Sequence, residues 1–220
     1  SAIMGVQSLW IFTHDSIGLG EDGPTHQPIE QLAQLRAIHG LVTLRPADAT
    51  ETAAAWKVAL ERRNGPTALI LTRQNVNVLD RTKFPPASNL EKGGYILAGS
   101  ESEKPDLILL SAGSEVHPTL EAAELLQKDG LKVRVLSMPS LELFARQPQS
   151  YRDEVIPPAV TARVAVEAAH PMPWYKYVGT QGAVVGMNSY GASAPAKALF
   201  EKFGFTAQHI AGTAKRVLSK

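Results

Sequence analysis

Short runs of apolar and β-branched residues alternate with longer amphipathic stretches along most of this chain, and that alternation constrains its fold more than any other feature. Ser8 to Thr13 (SLWIFT) reads as a buried strand that runs into a polar, glycine-rich loop. Ile29, Leu32, Ala33 and Leu35, with Glu30 and Arg36 opposite them, predict an amphipathic helix that His39-Gly40 terminates. Leu41 to Leu44 is the next strand. Asp48, followed three residues later by Glu51, has the spacing of a capping box ahead of a helix from Ala53 to Arg63. Asn64-Gly65-Pro66 then stops that helix before a strand at Thr67 to Thr72. The order is β, loop, α, β, α, β.

Gln74 to Asn89, with Pro85-Pro86 and many polar side chains, shows neither period and reads as a linker. Beyond it the alternation resumes, with strands at Asp106 to Ser111, Lys132 to Met138, Arg163 to Glu167 and Ala183 to Gly186. Helices are expected near Thr119 to Lys128, at Pro195 to Phe203 and at Thr206 to Leu218. Strands separated by helices of this length imply parallel sheets covered on both faces. The expected fold class is α/β: two successive three-layer units with mainly parallel sheets covered by helices. Apolar stripes such as Leu120, Ala123, Leu125 and Leu126, or Phe200, Phe203 and Phe205, belong to a core, and Trp174, Tyr175 and Tyr177 to a core or an interface.

Composition narrows function by exclusion. Lys+Arg 22 against Asp+Glu 21 leaves a net charge of +1, so no bulk attraction draws the chain to nucleic acid or an anionic membrane. Any anion must be met by a local cluster. The absence of cysteine excludes disulfides, thiolate metal sites and a cysteine nucleophile, and fits a reducing compartment. The longest stretch without a charged side chain, Tyr177 to Ala196, is broken by glycines and polar residues and does not read as a membrane span. The chain opens Ser1-Ala2-Ile3-Met4 without a basic-then-apolar leader and reads as an interior cut. A soluble, cytoplasmic location is expected, with the plastid left open.

The chemistry-bearing side chains concentrate in the loop His14 to Pro28 (HDSIGLGEDGPTHQP), where two histidines and three carboxylates directly follow a strand. Parallel α/β sheets gather ligands at such carboxyl ends. Gly18, Gly20 and Gly23 fit G-x-G-x-x-G, yet His14 to Ile17 separate them from the strand, Pro24 interrupts, and Glu21 and Asp22 would repel phosphate. That argues against a dinucleotide fingerprint. A metal site suits the residue types, but the spacing matches no ligand motif. Asp15 and Glu21 are equally suited to tying the loop to its own backbone. Two histidines beside a carboxylate on a strand-end loop are an unusual way to build structure alone.

The string Thr13 to Pro28 (THDSIGLGEDGPTHQP) resembles the transketolase signature over its whole length. The resemblance continues through Leu44-Arg45-Pro46-Ala47-Asp48, residues 69–74 (LILTRQ), 91–95 (EKGGY), 174–179 (WYKYVG) and 203–206 (FGFT). It implies an enzyme that uses thiamin diphosphate with Mg2+ or Ca2+ to move a two-carbon ketol unit from a ketose phosphate to an aldose phosphate. The family forms homodimers with the active site between subunits. Residues 1–80 would be the second part of the pyrimidine-binding domain, 81–89 a linker and 90–220 the C-terminal domain. By the same resemblance His14 contacts the substrate phosphate, Asp22 reads a sugar hydroxyl, His26 stands beside the intermediate, and Arg73 grips the phosphate.

These roles are physically sensible. Arginine offers a planar fork of donors to phosphate, and a held tail positions the reacting carbonyl. A carboxylate such as Asp22 accepts from a hydroxyl of one configuration and leaves the other unpaired. Imidazole is the side chain that exchanges protons near neutrality, which suits His26 to an oxygen whose charge changes as a carbon–carbon bond breaks. The departures are equally informative. The family's metal-binding Gly-Asp-Gly does not occur here, the nearest string being Glu21-Asp22-Gly23. The glutamate that activates the aminopyrimidine, and the aromatics that pack on it, belong upstream of Ser1. Two other readings share the loop: a catalytically silent sugar-phosphate-binding or regulatory module, and a related ketolase such as dihydroxyacetone synthase. The cofactor carries the carbanion chemistry, so these residues are expected to be inactive alone and to require the missing N-terminal part. Calorimetric titration of the isolated chain with thiamin diphosphate and magnesium should show no binding; micromolar affinity would contradict this reading.

Overall fold

The computed structural model describes residues 1–99 and 104–219. Strands β1 (Leu9–Thr13), β2 (Val42–Leu44) and β3 (Thr67–Leu71), with helices α1 (Gln31–Ala37) and α2 (Ala49–Glu61) between them, build a first sheet. Its order is β1-β3-β2, all parallel, with Thr13 opposite Leu71 and Leu44 opposite Leu69. The second sheet comprises β4 (Tyr95–Ala98), β5 (Leu107–Ser111), β6 (Val133–Ser137), β7 (Arg163–Val166) and β8 (Ala183–Val185). Around it lie α3 (Val116–Lys128), α4 (Leu141–Ala145), α5 (Gln149–Val155), α6 (Tyr175–Val178), α7 (Ala196–Lys202) and α8 (Ala207–Leu218). The order is β4-β6-β5-β7-β8, parallel throughout except for β4, which runs antiparallel to β6. The α/β class with mainly parallel sheets is therefore what the chain adopts.

The central strands β5 and β6 are buried along their whole length, which is why they read as continuous apolar runs rather than alternating ones. One face is covered by α3 and α8, whose Ala122, Ala123, Leu126, Ile210, Ala214 and Val217 pack on Leu107, Leu109, Val133 and Val135. The other holds Ile108, Leu110 and Leu136 against Phe144, Val155, Trp174 and Tyr177. Trp174 and Tyr177 thus belong to the core, whereas Tyr175 is exposed.

Two expectations need correction. β1 is not buried: Trp10, Ile11 and Phe12 are each more than 40% exposed, because none of them packs into a core cluster, whereas Val42 and Leu44 of β2, the other marginal strand, are buried against Ala55 and Ala59 of α2. Helices α2 and α3 also begin earlier than their apolar periodicity suggests, at Ala49 and Val116. The first follows from its cap, since Asp48 accepts from Glu51 N–H at 2.8 Å. The short α4, α5 and α6 and the strand β4 were not expected. They are too brief to display a period.

The two sheets are joined by polar contacts in which charge is buried. Glu51, in the first turn of α2, is fully buried and accepts from Tyr95 Oη at 2.6 Å and Ser137 Oγ at 2.7 Å, both in the second sheet. Burial pushes its carboxyl above the ordinary glutamate range, partly offset by those hydroxyls. Asp48 also receives Leu79 N–H at 2.8 Å and Arg81 Nη2 at 3.3 Å, so the segment read as a linker is pinned to the head of α2. Among the described residues no helix is long and apolar enough to cross a membrane.

Asp48→Ala removes a helix cap and the anchor of Leu79 together, and should cost about 1–3 kcal/mol in urea denaturation. Burial alone would raise the Asp48 carboxyl, but the N–H donors of Glu51 and Leu79, Thr50 and Arg81 outweigh it and hold it below its ordinary value. Its contribution is therefore present at neutral pH and lost as pH falls through the aspartate range, and Asp48→Asn should flatten that acid limb.

Candidate functional site

Because Thr13 faces Leu71 across parallel strands, the residues that follow each, His14 on one side and Thr72-Arg73 on the other, leave the sheet at the same carboxyl edge. Neighbouring strands lie about 4.8 Å apart. At His14 the backbone turns with φ of 67°, the only positive value at a non-glycine position among the described residues. That conformation costs about 1–2 kcal/mol. It leaves the imidazole exposed while Asp15 and Ser16 turn inward and are buried. Ser16 Oγ then accepts from Gly18 N–H at 3.2 Å and starts a short turn, Ile17–Leu19.

Each histidine is steadied by the threonine before it: Thr13 Oγ1 lies 2.7 Å from His14 Nδ1, and Thr25 Oγ1 lies 2.9 Å from His26 Nδ1. With Nδ1 engaged, Nε2 is the ring atom left for a ligand. Both imidazoles line one cavity of about 500 Å³, together with Thr13, Thr25, Gln31, Leu35, Ile70 and, from beyond β8, Tyr190. Of the four expected site residues, His14 and His26 are thus brought together. Asp22 and Arg73 are exposed and do not line that cavity, although Asp22 sits on the same loop and Arg73 at the same sheet edge. Gln74 fixes the chain beside Arg73. Its side chain lies so close to Gly18 that a Cβ there would be 2.4 Å from Oε1, and its Nε2 donates to Ser114 Oγ at 3.1 Å.

The loop is held from the second sheet as much as from the first. Gln27 Nε2 donates at 2.9 Å both to Gly20 O, within the loop, and to Ala192 O. Ser193 Oγ donates to Glu21 O, and His170 N–H to Ile29 O at 2.8 Å.

Beneath the loop lies a buried ionic cluster. Asp15, a candidate for a tie to its own backbone, instead accepts from Arg45 Nε at 2.9 Å and Nη2 at 2.7 Å, and both side chains are fully buried. Arg45 Nη1 turns to Glu115, to Ala112 O at 2.9 Å and to Glu167 at 3.4 Å. Glu167 also accepts two bonds from Arg36, at 2.6 and 2.8 Å, and one from Trp174 Nε1 at 2.7 Å. Two cations therefore face three carboxylates. Burial alone would raise the Glu167 carboxyl, but Arg36, Arg45 and the indole hold it below its usual range. Glu115 is pushed up, by burial first and by Asp15 as well, against the pull of Arg45.

The residues that sequence reasoning missed are those that orient the others: Thr13, Thr25, Gln27 and Arg45. The repeated Thr-His dipeptide was the one legible signal. Among the described residues no cluster of three His, Asp or Glu is placed to hold a metal ion. The side chains present can instead offer imidazole and guanidinium groups to an anionic, hydroxylated ligand at the sheet edge.

The profile described as the transketolase pyrimidine binding domain matches residues 1–78, and that of the transketolase-like C-terminal domain matches residues 93–206. The transketolase of Aquifex aeolicus is 51% identical over 211 residues, covering 96% of this chain and 30% of that protein. A Pichia stipitis transketolase in complex with sedoheptulose 7-phosphate superposes with a TM-score of 0.92 at 39% identity, over 99% of this chain and 31% of that one. A split gene transketolase, described as an inactive β4 tetramer, aligns with a TM-score of 0.74 at 26% identity, over 96% of this chain and 66% of that one. The chain spans about a third of the length of the curated relatives it matches. With two domain profiles in tandem and a loop that follows the family signature from Thr13 to Pro28, this chain belongs to the transketolase family.

Proposed function

We propose that this chain is the substrate-binding portion of a thiamin-diphosphate-dependent transketolase, holding a ketose phosphate while a two-carbon unit is transferred to an aldose phosphate. One observation carries the reading: two threonine-steadied imidazoles line one cavity, and His14 and Arg73 follow neighbouring parallel strands at a single carboxyl edge. Arg73 is a fork of donors for the substrate phosphate, and His14, across from it on the neighbouring strand, supplies a second contact. Asp22 accepts from a sugar hydroxyl and thereby selects configuration. His26, on the wall of the cavity it shares with His14, exchanges a proton with an oxygen near the reacting carbon. The solved relative bound to sedoheptulose 7-phosphate supports a sugar phosphate as the ligand class.

The division of labour follows the donors. Among the described residues no three-ligand cluster is placed for a cation, and the sequence lacks the family's Gly-Asp-Gly, so we assign the diphosphate end of the cofactor to the remainder of the enzyme. The domain limits we infer are 1–80 and 90–220 with 81–89 between them, working in a cytoplasmic homodimer. The inactive β4 tetramer of a split gene relative is in keeping with a chain that awaits its other part.

Titration of the 220-residue chain with fructose 6-phosphate, followed by 31P and 1H–15N NMR, tests the proposal. His14→Ala and Arg73→Ala should each raise the dissociation constant at least tenfold, as expected when a charge-assisted bond worth about 1.5–3 kcal/mol is removed. Asp22→Ala should leave phosphate affinity intact and abolish discrimination between ketose epimers. Equal binding by wild type and both tail-site variants would overturn the assignment.

A further inference from the structure

In the second sheet β5 sits between β6 and β7. The chain leaves β5 towards β6 on one side and returns to β7 on the other, so the carboxyl ends of β5 and β7 form a topological switch point. Open α/β sheets keep their ligands in that crevice. Here it is already filled from within the chain. Ala112, Gly113, Ser114 and Glu115 follow β5, Glu167 follows β7, and between them lies the guanidinium of Arg45, which comes from the end of β2 in the first sheet.

The fit is close. Gly113, at φ of 64°, approaches so near that a Cβ would stand 2.5 Å from Arg45 Cζ. The backbone of Arg45 docks too, donating to Pro139 O at 2.9 Å and accepting from Gly113 N–H at 3.1 Å. On its far side Arg45 holds Asp15 through two donors to the same carboxylate oxygen, Oδ2, while Oδ1 is buried without a hydrogen-bond partner. Asp15 directly follows His14, the residue in the left-handed conformation. Pulling Asp15 inward fixes the peptide that turns the His14 ring out to Thr13 and the cavity.

We infer that Arg45 is a positioning residue for His14: the switch-point crevice of the second sheet binds Arg45 as its internal ligand and, through Asp15, sets the imidazole that meets the substrate phosphate. The inference deepens the sugar-phosphate reading and rests on it for the word substrate, while the geometric claim about His14 stands apart. It gives the second sheet a part in ligand binding that none of its own side chains performs.

The test uses the 220-residue chain with 15N-labelled histidine. Asp15→Asn is isosteric and keeps an oxygen for Arg45, and Arg45→Lys keeps the charge but loses the fork, so both should retain native near-ultraviolet circular dichroism. Each should shift the His14 ring nitrogens away from their wild-type values and leave those of His26 in place. Each should also raise the dissociation constant for fructose 6-phosphate about tenfold, which is 1.4 kcal/mol. Combination with His14→Ala should add nothing further, because variants acting through one group are non-additive. Folded variants with unchanged His14 ring signals would overturn the inference, and so would a fully additive loss in the double variants. If His14→Ala binds the sugar phosphate as wild type does, the ligand assignment fails; the ring signals still decide whether Arg45 positions His14.

Discussion

A guanidinium without access to water is the constraint around which this chain is arranged. Arg45 is 0% exposed, and a buried cation persists only where carboxylates and carbonyls surround it. Its partners come from three separate regions: Asp15 after β1, Glu115 after β5 and Glu167 after β7. None of those sites can move far without leaving a charge unpaired in a low-dielectric interior, a loss of several kcal/mol. Burial holds back the ionisation of Glu115, while the paired arginines secure that of Glu167. The cluster therefore ties the loop after β1, the end of β2 and the ends of β5 and β7 to one point. Charge pairs are directional, so they set a register that apolar contact alone leaves looser.

A second buried carboxylate works in the same direction. Glu51 lies at the head of α2, yet its hydroxyl donors, Tyr95 and Ser137, belong to the neighbouring β4 and β6. With Asp48 capping the same helix and holding Leu79 and Arg81, the connection between the sheets is a sequence of ordered contacts rather than a slack tether. The loop that carries His14, Asp22 and His26 is thereby held between the two sheets, with Gln27 bonding the loop to itself at Gly20 O and to the segment after β8 at Ala192 O. Such support suits a site whose groups must be held to within fractions of an ångström.

Much of this was legible in the sequence, and the parts that were not share a cause. The alternation of strands and helices, the capping residue Asp48 and the strand-end loop are local features, written within a dozen residues of where they act. The exposure of β1 was illegible because SLWIFT describes side chains that can be buried, not whether another element packs over them, as α2 does over the equally marginal β2. The role of Arg45 was hidden for a different reason. Its partners lie 30, 70 and 122 positions away, and a charged residue at a strand end reads as solvated until the fold removes the water. For the same reason the pattern could place Asp15 in the loop but could not say which cation it would meet. The paired Thr-His dipeptides were visible, but only the hydrogen bonds to Nδ1 give them meaning.

The margin of the first sheet has a practical side. Three successive bulky residues, Trp10, Ile11 and Phe12, face solvent on a strand with one flank free of partners among the described residues. Natural proteins blunt such flanks with charge, proline or a covering element, and none of the three is charged or proline. Expressed by itself, this polypeptide would carry an adhesive ribbon whose pairing with a second molecule grows with concentration.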